Sequence, residues 1–589
     1  MIVPMKKAYI VCLAHDGVAT ITRLGELGVI HLEHQQPPHS QPVAAVQEEI
    51  GLAASALEIL SRRRSDQKTA YDSGHRETDW RIASRHIIDL EKRLDQLQEY
   101  SRILALRIDE WERWGDFDPE DVRALERKGI VVRLFEIPEK EVGSLPQDCI
   151  GRVISVHEGI ARCLVISRSR RDLAYKEVGL PKNSLSAMRR RLEQDAALEN
   201  ELKKDLAKQS AHRDSIAQQK QVLEKKLEFQ QALAGMGRQG QLLYLAGYLP
   251  HDAVAGVMRA AQAQQWGISI QAPSEEDAVP TFLRIPRWAQ KIKPVMALLG
   301  IVPGYHELDV SAVFLVFFSI FFGILIGDAG YGAVYLLLTF GAQKKTRMNP
   351  STAQIFPLLY LLSSCAILWG ILTGSFFGQE WLLKYGLHPL VPQLNDAKNM
   401  QTFCFFLGAV HLSLAHAWRT ILKLPALSAL ADLGWICVLW AAFFLARMLL
   451  LGEILPGYVQ WLIVTGIGLV IFFTHPQRNL LKTVLEGLGT IALSLMNNFT
   501  DVVSYVRLFA VGMAGVAIAE TTNSMAAGLN GVLFGAASMM IVLIGHGLNI
   551  VLGPMSVLVH GVRLNVLEFS GHAGVSWSGT EYQPFKSQS

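Results

Sequence analysis

From residue 311 to residue 568 the chain is a succession of apolar runs, and that succession leaves it little choice of fold. An apolar run of about 20 residues crosses a bilayer as an α-helix, because the helix satisfies every backbone polar group within itself. The runs cover 311–327, 330–341, 355–378, 402–417, 429–451, 458–474, about 483–526 and about 531–568. The first two admit a single bent helix around Gly327-Asp-Ala-Gly-Tyr-Gly332, but the basic residues favour two. With eight helices and both termini inside, Lys344, Lys345, Arg347, Arg419, Lys423, Arg478 and Lys482 fall in cytoplasmic loops. Lys384, Lys398 and Arg447 are left outside. Merging the first pair inverts every later loop and spoils the pattern. The last two runs, at about forty residues, exceed what a bilayer needs. They are expected to tilt or to project from it.

The mean hydropathy of +0.23 averages this region with a first half rich in Glu, Gln, Lys and Arg. Strand signals at 7–13, 29–32, 242–249 and 267–271, with helices at 17–27 and 252–265, suggest one small α+β lobe whose chain leaves and returns. Between its pieces run two long helical stretches, about 42–114 and 183–235, the first with an expected break at Tyr71-Asp-Ser-Gly-His75. Leu202, Leu206, Ile216, Leu223 and Leu227 trace a narrow seam on the second. A disordered charged linker is the plainer alternative, but leucines recur and the interiors lack proline. At the far end, strand signals at 130–135 and 161–166 follow a helix seeded by Pro119-Glu-Asp. The expected fold is therefore mainly α. A cytoplasmic α+β dumbbell has lobes at 1–40 with 237–279 and at 116–181, joined by an antiparallel coiled coil of 41–115 and 182–236. A linker at 280–310 leads to a membrane domain at 311–570 and a cytoplasmic tail at 571–589. A 50-residue helical arm would span about 75 Å.

Other classes are argued against. A net charge of +3 points to neither nucleic acid nor an acidic substrate. The six cysteines show no ligand spacing, and no phosphate-binding glycine loop occurs. No catalytic residue, cofactor or metal site is therefore expected. The opening apolar stretch stops at His15-Asp16, too early for a signal peptide, so a cytoplasmic start is expected.

Arg507 and Arg563, one in each of the last two runs, carry the functional argument. A guanidinium in hydrocarbon costs from about 3 to over 10 kcal/mol, and such residues persist where they work. Neither has a carboxylate three or four positions away on its own helix. The negative partner is therefore expected from outside these helices. Both lie on small-residue faces, a pattern also produced by ordinary helix packing. Weaker candidates for aqueous access paths are Glu520, Asp501, Glu568, Ser504 and His560, which lies three before Arg563. Asp328, in a glycine-rich bend, suits a structural turn at least as well. Glu568, near the boundary, is equally consistent with an interfacial carboxylate, and His411, His416 and His546 with packing.

At these residues the chain resembles the membrane-stator subunit of rotary V-type and A-type ATPases, the subunit a/subunit I family. The carriers are PTFL (280–283), GILIGDAGYG (323–332), WGILTGSFFG (369–378), SYVRLFAVGMAG (504–515), HGVRLNVLEF (560–569) and YQPF (582–585). RWGDF (113–117) and LAGYLP (245–250) extend it into the soluble half. The length, without large insertions, is similar to the compact prokaryotic form. The resemblance implies a multi-pass protein of a prokaryotic cell membrane, beside a rotating ring of small carboxylate-bearing subunits. It implies that Arg507 and Arg563 meet each arriving carboxylate and keep two ion half-channels apart. It also implies peripheral stalks on the cytoplasmic lobes and a neighbouring central-stalk/ring junction. The sequence departs from the family pattern at Gly515 and Gly553. The rival readings are a secondary transporter with a coiled-coil regulatory domain and a membrane-anchored scaffold. The first predicts inverted repeats, which are not seen.

Overall fold

The computed structural model describes residues 1–63, 79–146, 149–170, 172–345, 353–379, 388–474, 476, 480–528 and 532–586. Two compact units make up the chain: Met1–Ile10, Val29–Leu32 and Ala246–Pro584 in one, Val11–Gly28, Glu33–Leu245 and Phe585–Ser589 in the other. The fold is mainly helical, with antiparallel sheet in the first half and apolar helices in the second.

Through the first half the order is β1 (Met5–Leu13), α1 (Gly17–Leu27), β2 (His31–Glu33), α2 (Gln41–Arg63), α3 (Trp80–Glu112), α4 (Pro119–Arg127), β3 (Val131–Pro138), β4 (Ile150–His157), β5 (Ile160–Ser167) and β6 (Lys176–Val178). It continues through α5 (Leu185–Lys208), α6 (Arg213–Ala234), β7 (Gly237–Gln239), β8 (Leu242–Pro250), α7 (Val254–Gln264) and β9 (Gly267–Gln271) to α8 (Lys293–Leu299). One sheet is ordered β2-β8-β1-β9, with β7 on β8, and the other β4-β5-β3-β6. In the second, β3 and β5 pair antiparallel with Phe135 opposite Cys163. Strands β4 and β6 escaped the sequence reading. Solvent faces most of β4, and β6 has three residues, so neither carries a clean alternation.

The long helical stretches are α2 with α3 and α5 with α6; α2 packs on α6 and α3 on α5. The expected break at 71–75 lies outside the described residues. The return arm is interrupted by a 3₁₀ turn, Gln209–His212, that its leucine spacing did not announce. Of its seam, Leu206, Ile216 and Leu223 are buried. Leu206 and Ile216 pack with Ala53, Ala56, Ile87 and Leu90 of the facing helices. Alanines on one side admit the close approach that leucines on the other fill.

The second half comprises α9 (Ser311–Ile326), α10 (Ala329–Lys345), α11 (Phe356–Thr373), α12 (Ala397–Lys423), α13 (Ala429–Leu451), α14 (Val459–Phe473), α15 (Leu480–Ser504), α16 (Val506–Ala527) and α17 (Val532–Ser556). Two π-helical segments, Val557–Gly561 and Leu564–Phe569, prolong α17, and a last turn, Ser570–Ala573, follows. Among the described residues five helical runs are long and apolar enough to cross a membrane: Phe356–Thr373, Ala397–Lys423, Ala429–Leu451, Leu481–Ala527 and Gly535–Ala573. Helices α9 and α10 meet that standard only together, across a bend of 119°. Val459–Phe473 is apolar but short. At 1.5 Å per residue its 15 residues reach about 22 Å.

The bend between α9 and α10 is built by two adjacent residues. Gly327 ends α9 in the left-handed region, at φ +67°. Asp328 then caps α10: Oδ1 accepts from the backbone N–H of Gly330 (2.7 Å) and Tyr331 (3.1 Å). Phenylalanines of α9, including Phe314, Phe317 and Phe321, pack with Phe405 and Leu412 of α12 and with Val502, Tyr505 and Leu508.

Candidate functional site

The run holding Arg507 is interrupted by one turn residue. Helix α15 ends at Ser504, Tyr505 is a turn, and α16 starts at Val506. Tyr505 explains where the interruption falls. Its ring is fully buried against Gly408, where a Cβ would stand 2.6 Å from it, so glycine is required opposite. Its hydroxyl lies 2.8 Å from Nδ1 of His411. His411 in turn is stacked between Phe317 (ring centroids 3.8 Å apart) and Phe569 (4.4 Å). One buried imidazole therefore ties α9, α12, the α15–α16 junction and the end of the α17 run together. The packing reading of His411 accounts for all these contacts; its Nε2 has no hydrogen-bond partner among the described residues.

Arg507 follows the junction by two residues. Its Nε donates to the Ser504 carbonyl oxygen at 3.0 Å, a carbonyl left free at the helix end. A terminal nitrogen donates to Oε1 of Glu568 at 2.5 Å. The same Oε1 lies 3.4 Å from Nε of Arg563. Glu568 is buried, whereas the Arg563 side chain is 54% exposed and that of Arg507 22%. One carboxylate from within the chain thus pairs with both arginines, leaving the cluster with a net charge of +1.

That corrects the expectation that the negative partner comes only from outside these two helices: Glu568, five residues beyond Arg563, meets both arginines. Spacing misled because five residues along an α-helix turn the side chain about 140° away. Residues Leu564–Phe569 are π-helical instead, and i to i+5 bonding brings position 568 back toward 563. Pro554, which lacks a backbone donor, lies shortly before the first π segment. The second oxygen, Oε2, is buried with no hydrogen-bond partner among the described residues. The carboxylate is therefore half-satisfied, an unusual state at such burial.

The other candidates fall in different places. His560 lies within electrostatic reach of both arginines, with Nδ1 buried and unpartnered among the described residues. The carbonyl of Ser504 holds Arg507 in place. Asp501 sits beside His572, Oδ2 to Nε2 at 3.1 Å. Glu520 is on an exposed face of α16 and makes no ion pair among the described residues. Asp328 is almost fully buried, and Oδ2 accepts from Ser375 Oγ (2.9 Å) and the Gly378 N–H (3.2 Å). With two donors on each oxygen it acts as a turn cap. His546 joins Tyr331 Oη (2.6 Å) to Asn523 Oδ1 (3.0 Å). His572, Asp432 and Tyr505 were missed. An aspartate near the start of an apolar run, Asp432, and a histidine four residues after Glu568 were the available signals.

Comparison with known proteins shows what the chain is similar to. No protein-family model matches the chain. V-type ATP synthase subunit I 1 of Treponema pallidum is 29% identical, over all of both chains. V-type ATP synthase subunit I of Borreliella burgdorferi is 28% identical, over all of this chain and 99% of its own. The chain is a homologue of subunit I of the V-type and A-type ATPases. A-type ATP synthase subunit I of Thermococcus kodakarensis is 24% identical over 64% of this chain and 58% of its own. A solved structure titled as the cytoplasmic N-terminal domain of subunit I, homolog of subunit a, of V-ATPase covers 45% of this chain at 15% identity. Its TM-score is 0.22, too low to bear on the fold. With its apolar helices, this subunit I homologue is a multi-pass membrane protein.

Proposed function

We propose that this subunit I homologue forms the stationary wall past which a ring of carboxylate-bearing subunits turns in a rotary ATPase. In this reading it carries two ion half-channels and couples H⁺ or Na⁺ movement to ATP hydrolysis or synthesis elsewhere in the complex. The observation that carries it is the single carboxylate shared by Arg507 and Arg563. Between visits of the ring, Glu568 bridges the two guanidiniums and offsets one of their two charges. An arriving ring carboxylate competes with it, meeting the exposed Arg563 first. Coulomb attraction at about 4 Å and an effective dielectric of about 20 is about 4 kcal/mol, enough to hold that carboxylate ionised and release its ion. The displaced Glu568 then gains a proton or another partner through Oε2. His560 and Asp501 flank this exchange, Glu520 belongs to the opposite access path, and Asp328 only shapes the α9–α10 bend.

The remaining organisation goes with this reading: eight membrane helices with both termini cytoplasmic, and a two-lobed arm on a coiled coil that binds peripheral stalks and resists torque. Replacing Arg507 with Gln tests the core of it. ATP-driven ion uptake into vesicles bearing the assembled complex should be abolished while the ring still copurifies. Undiminished coupled uptake would sink the proposal, and a chain that copurifies with no ring would make it a scaffold.

A further inference from the structure

Four titratable side chains from four elements form one hydrogen-bonded line at the ends of α12, α13 and α15. Asp432 Oδ1 lies 3.2 Å from His416 Nδ1. His416 Nε2 lies 2.9 Å from His572 Nδ1, and His572 Nε2 lies 3.1 Å from Asp501 Oδ2. Lys423 Nζ donates to Asp432 Oδ2 at 2.6 Å, and Arg419 Nε stands 3.5 Å from Oδ1. Those two cations fix Asp432 as a carboxylate. Arg419 also donates to the His572 carbonyl oxygen at 3.0 Å, which holds the last turn in place. His416, His572 and Asp432 are buried; the Asp501 side chain, 29% exposed, is the open end.

Protons can be counted along this line. Each of the three contacts needs one proton between its heavy atoms. Two neutral imidazoles bring two, and two carboxylates bring none. With Asp432 ionised, His416 donates from Nδ1, so its Nε2 accepts from the N–H at His572 Nδ1. That leaves the lone pair of His572 Nε2 facing a carboxylate oxygen at 3.1 Å. Only a third proton makes that contact attractive, whether it rests on the imidazole or on the carboxyl.

We propose that Asp432, His416, His572 and Asp501 form a one-proton holding site, filled at its Asp501–His572 end. The ligand is a proton taken from water at Asp501, and the line is closed when it is loaded and open when it is empty. His572 is four residues beyond Glu568, one helical turn away. The loaded end thus lies four positions along the chain from Glu568, whose Oε2 has no hydrogen-bond partner among the described residues. When a ring carboxylate displaces Glu568, this proton moves from the Asp501–His572 pair to Oε2, water at Asp501 reloads the site, and Glu568 gives its proton to the ring carboxylate as that carboxylate leaves, returning ionised to the arginines. The charged or titratable groups facing the line are Arg419, Lys423 and His411 from α12, Tyr505 from the α15–α16 junction, and Glu568 with Arg507. The hand-off rests on the two-arginine reading above; the holding site does not.

Asp501→Asn separates the two claims, because its amide donates to His572 Nε2 and closes the line without the extra proton. In pH-difference infrared spectra of the purified complex, the carboxyl or imidazolium band of the wild type should be absent from D501N. Identical spectra would overturn the holding site and leave the arginine reading to Arg507→Gln. In vesicles, D501N should slow ATP-driven proton uptake at least about tenfold and flatten its dependence on external pH. Asp501→Glu should restore both. A lost band with unchanged uptake would keep the site and overturn the hand-off to Glu568.

Discussion

The two halves of this chain treat charge in opposite ways. Along the helical arm, many ion pairs are local and wet: Arg62 with Glu58, Arg93 with Asp89 and Arg102 with Glu99 are three or four residues apart, with both partners well exposed, while Arg189 with Glu112 and Arg81 with Glu49 join distant positions. The local pairs stabilise a helix by a few tenths of a kcal/mol and are readable from spacing alone. Among the apolar helices, the site's partners are distant in sequence and one of each pair is buried: Arg507 with Glu568, 61 residues on, and Asp501 with His572, 71 on. There an unpaired charge costs several kcal/mol, so pairing is enforced by desolvation rather than by proximity along the chain. Charge in the arm decorates a surface, whereas charge among the apolar helices determines how they pack.

The comparison can be broken at its strong end first. Arg507→Gln should reduce coupled ion uptake to background in assembled vesicles, because no other cation among the described residues touches Glu568 from the α15–α16 run. Glu568→Gln should slow uptake by at least tenfold and cost about 3–5 kcal/mol of stability, since it leaves Arg507 without its buried counter-charge. Thermal unfolding of the solubilised complex would show it, and a melting point within a degree of wild type would contradict the pairing. Gly408→Ala should cost about 1–3 kcal/mol by driving a methyl into the Tyr505 ring. Its infrared tyrosine band should shift if the Tyr505–His411 contact is disturbed.

Smaller effects are expected away from the apolar helices. Asp277 is held at a pKa of about 2 by the Lys7 ammonium and by the N–H and hydroxyl of Ser274. A carboxylate depressed in the folded state contributes stability above its unfolded value near 4, which is lost as pH falls from about 4 to about 2. Asp277→Asn should therefore be less stable than the wild type above about pH 4, with the two acid-titration curves converging as pH falls to about 2. Arg62→Ala in the arm should change stability by under about 0.5 kcal/mol. A larger loss there would blur the contrast between the halves.

Much of the architecture was legible because it rests on periodicity. Helix α1, strand β9 and the capped start of α4 follow from hydrophobic alternation, glycine placement and Asp118 before Pro119. The apolar runs announced the helices of the second half within a few residues. The site was only half legible. Arg507 and Arg563 stood out by their cost in hydrocarbon, but their partner did not, because π-helical winding at 564–569 changes which residues share a face.

By itself the sequence determined the membrane character, the two arginines and the likeness to subunit I, since each depends on residue type and local spacing. Tertiary structure alone decided that Glu568 bridges both arginines, that Tyr505 interrupts the long run against Gly408, and that Asp432, His416, His572 and Asp501 align. The physical reason is common to all three. A buried polar group must find its partner wherever packing delivers one, and the chain distance to that partner leaves no periodic trace.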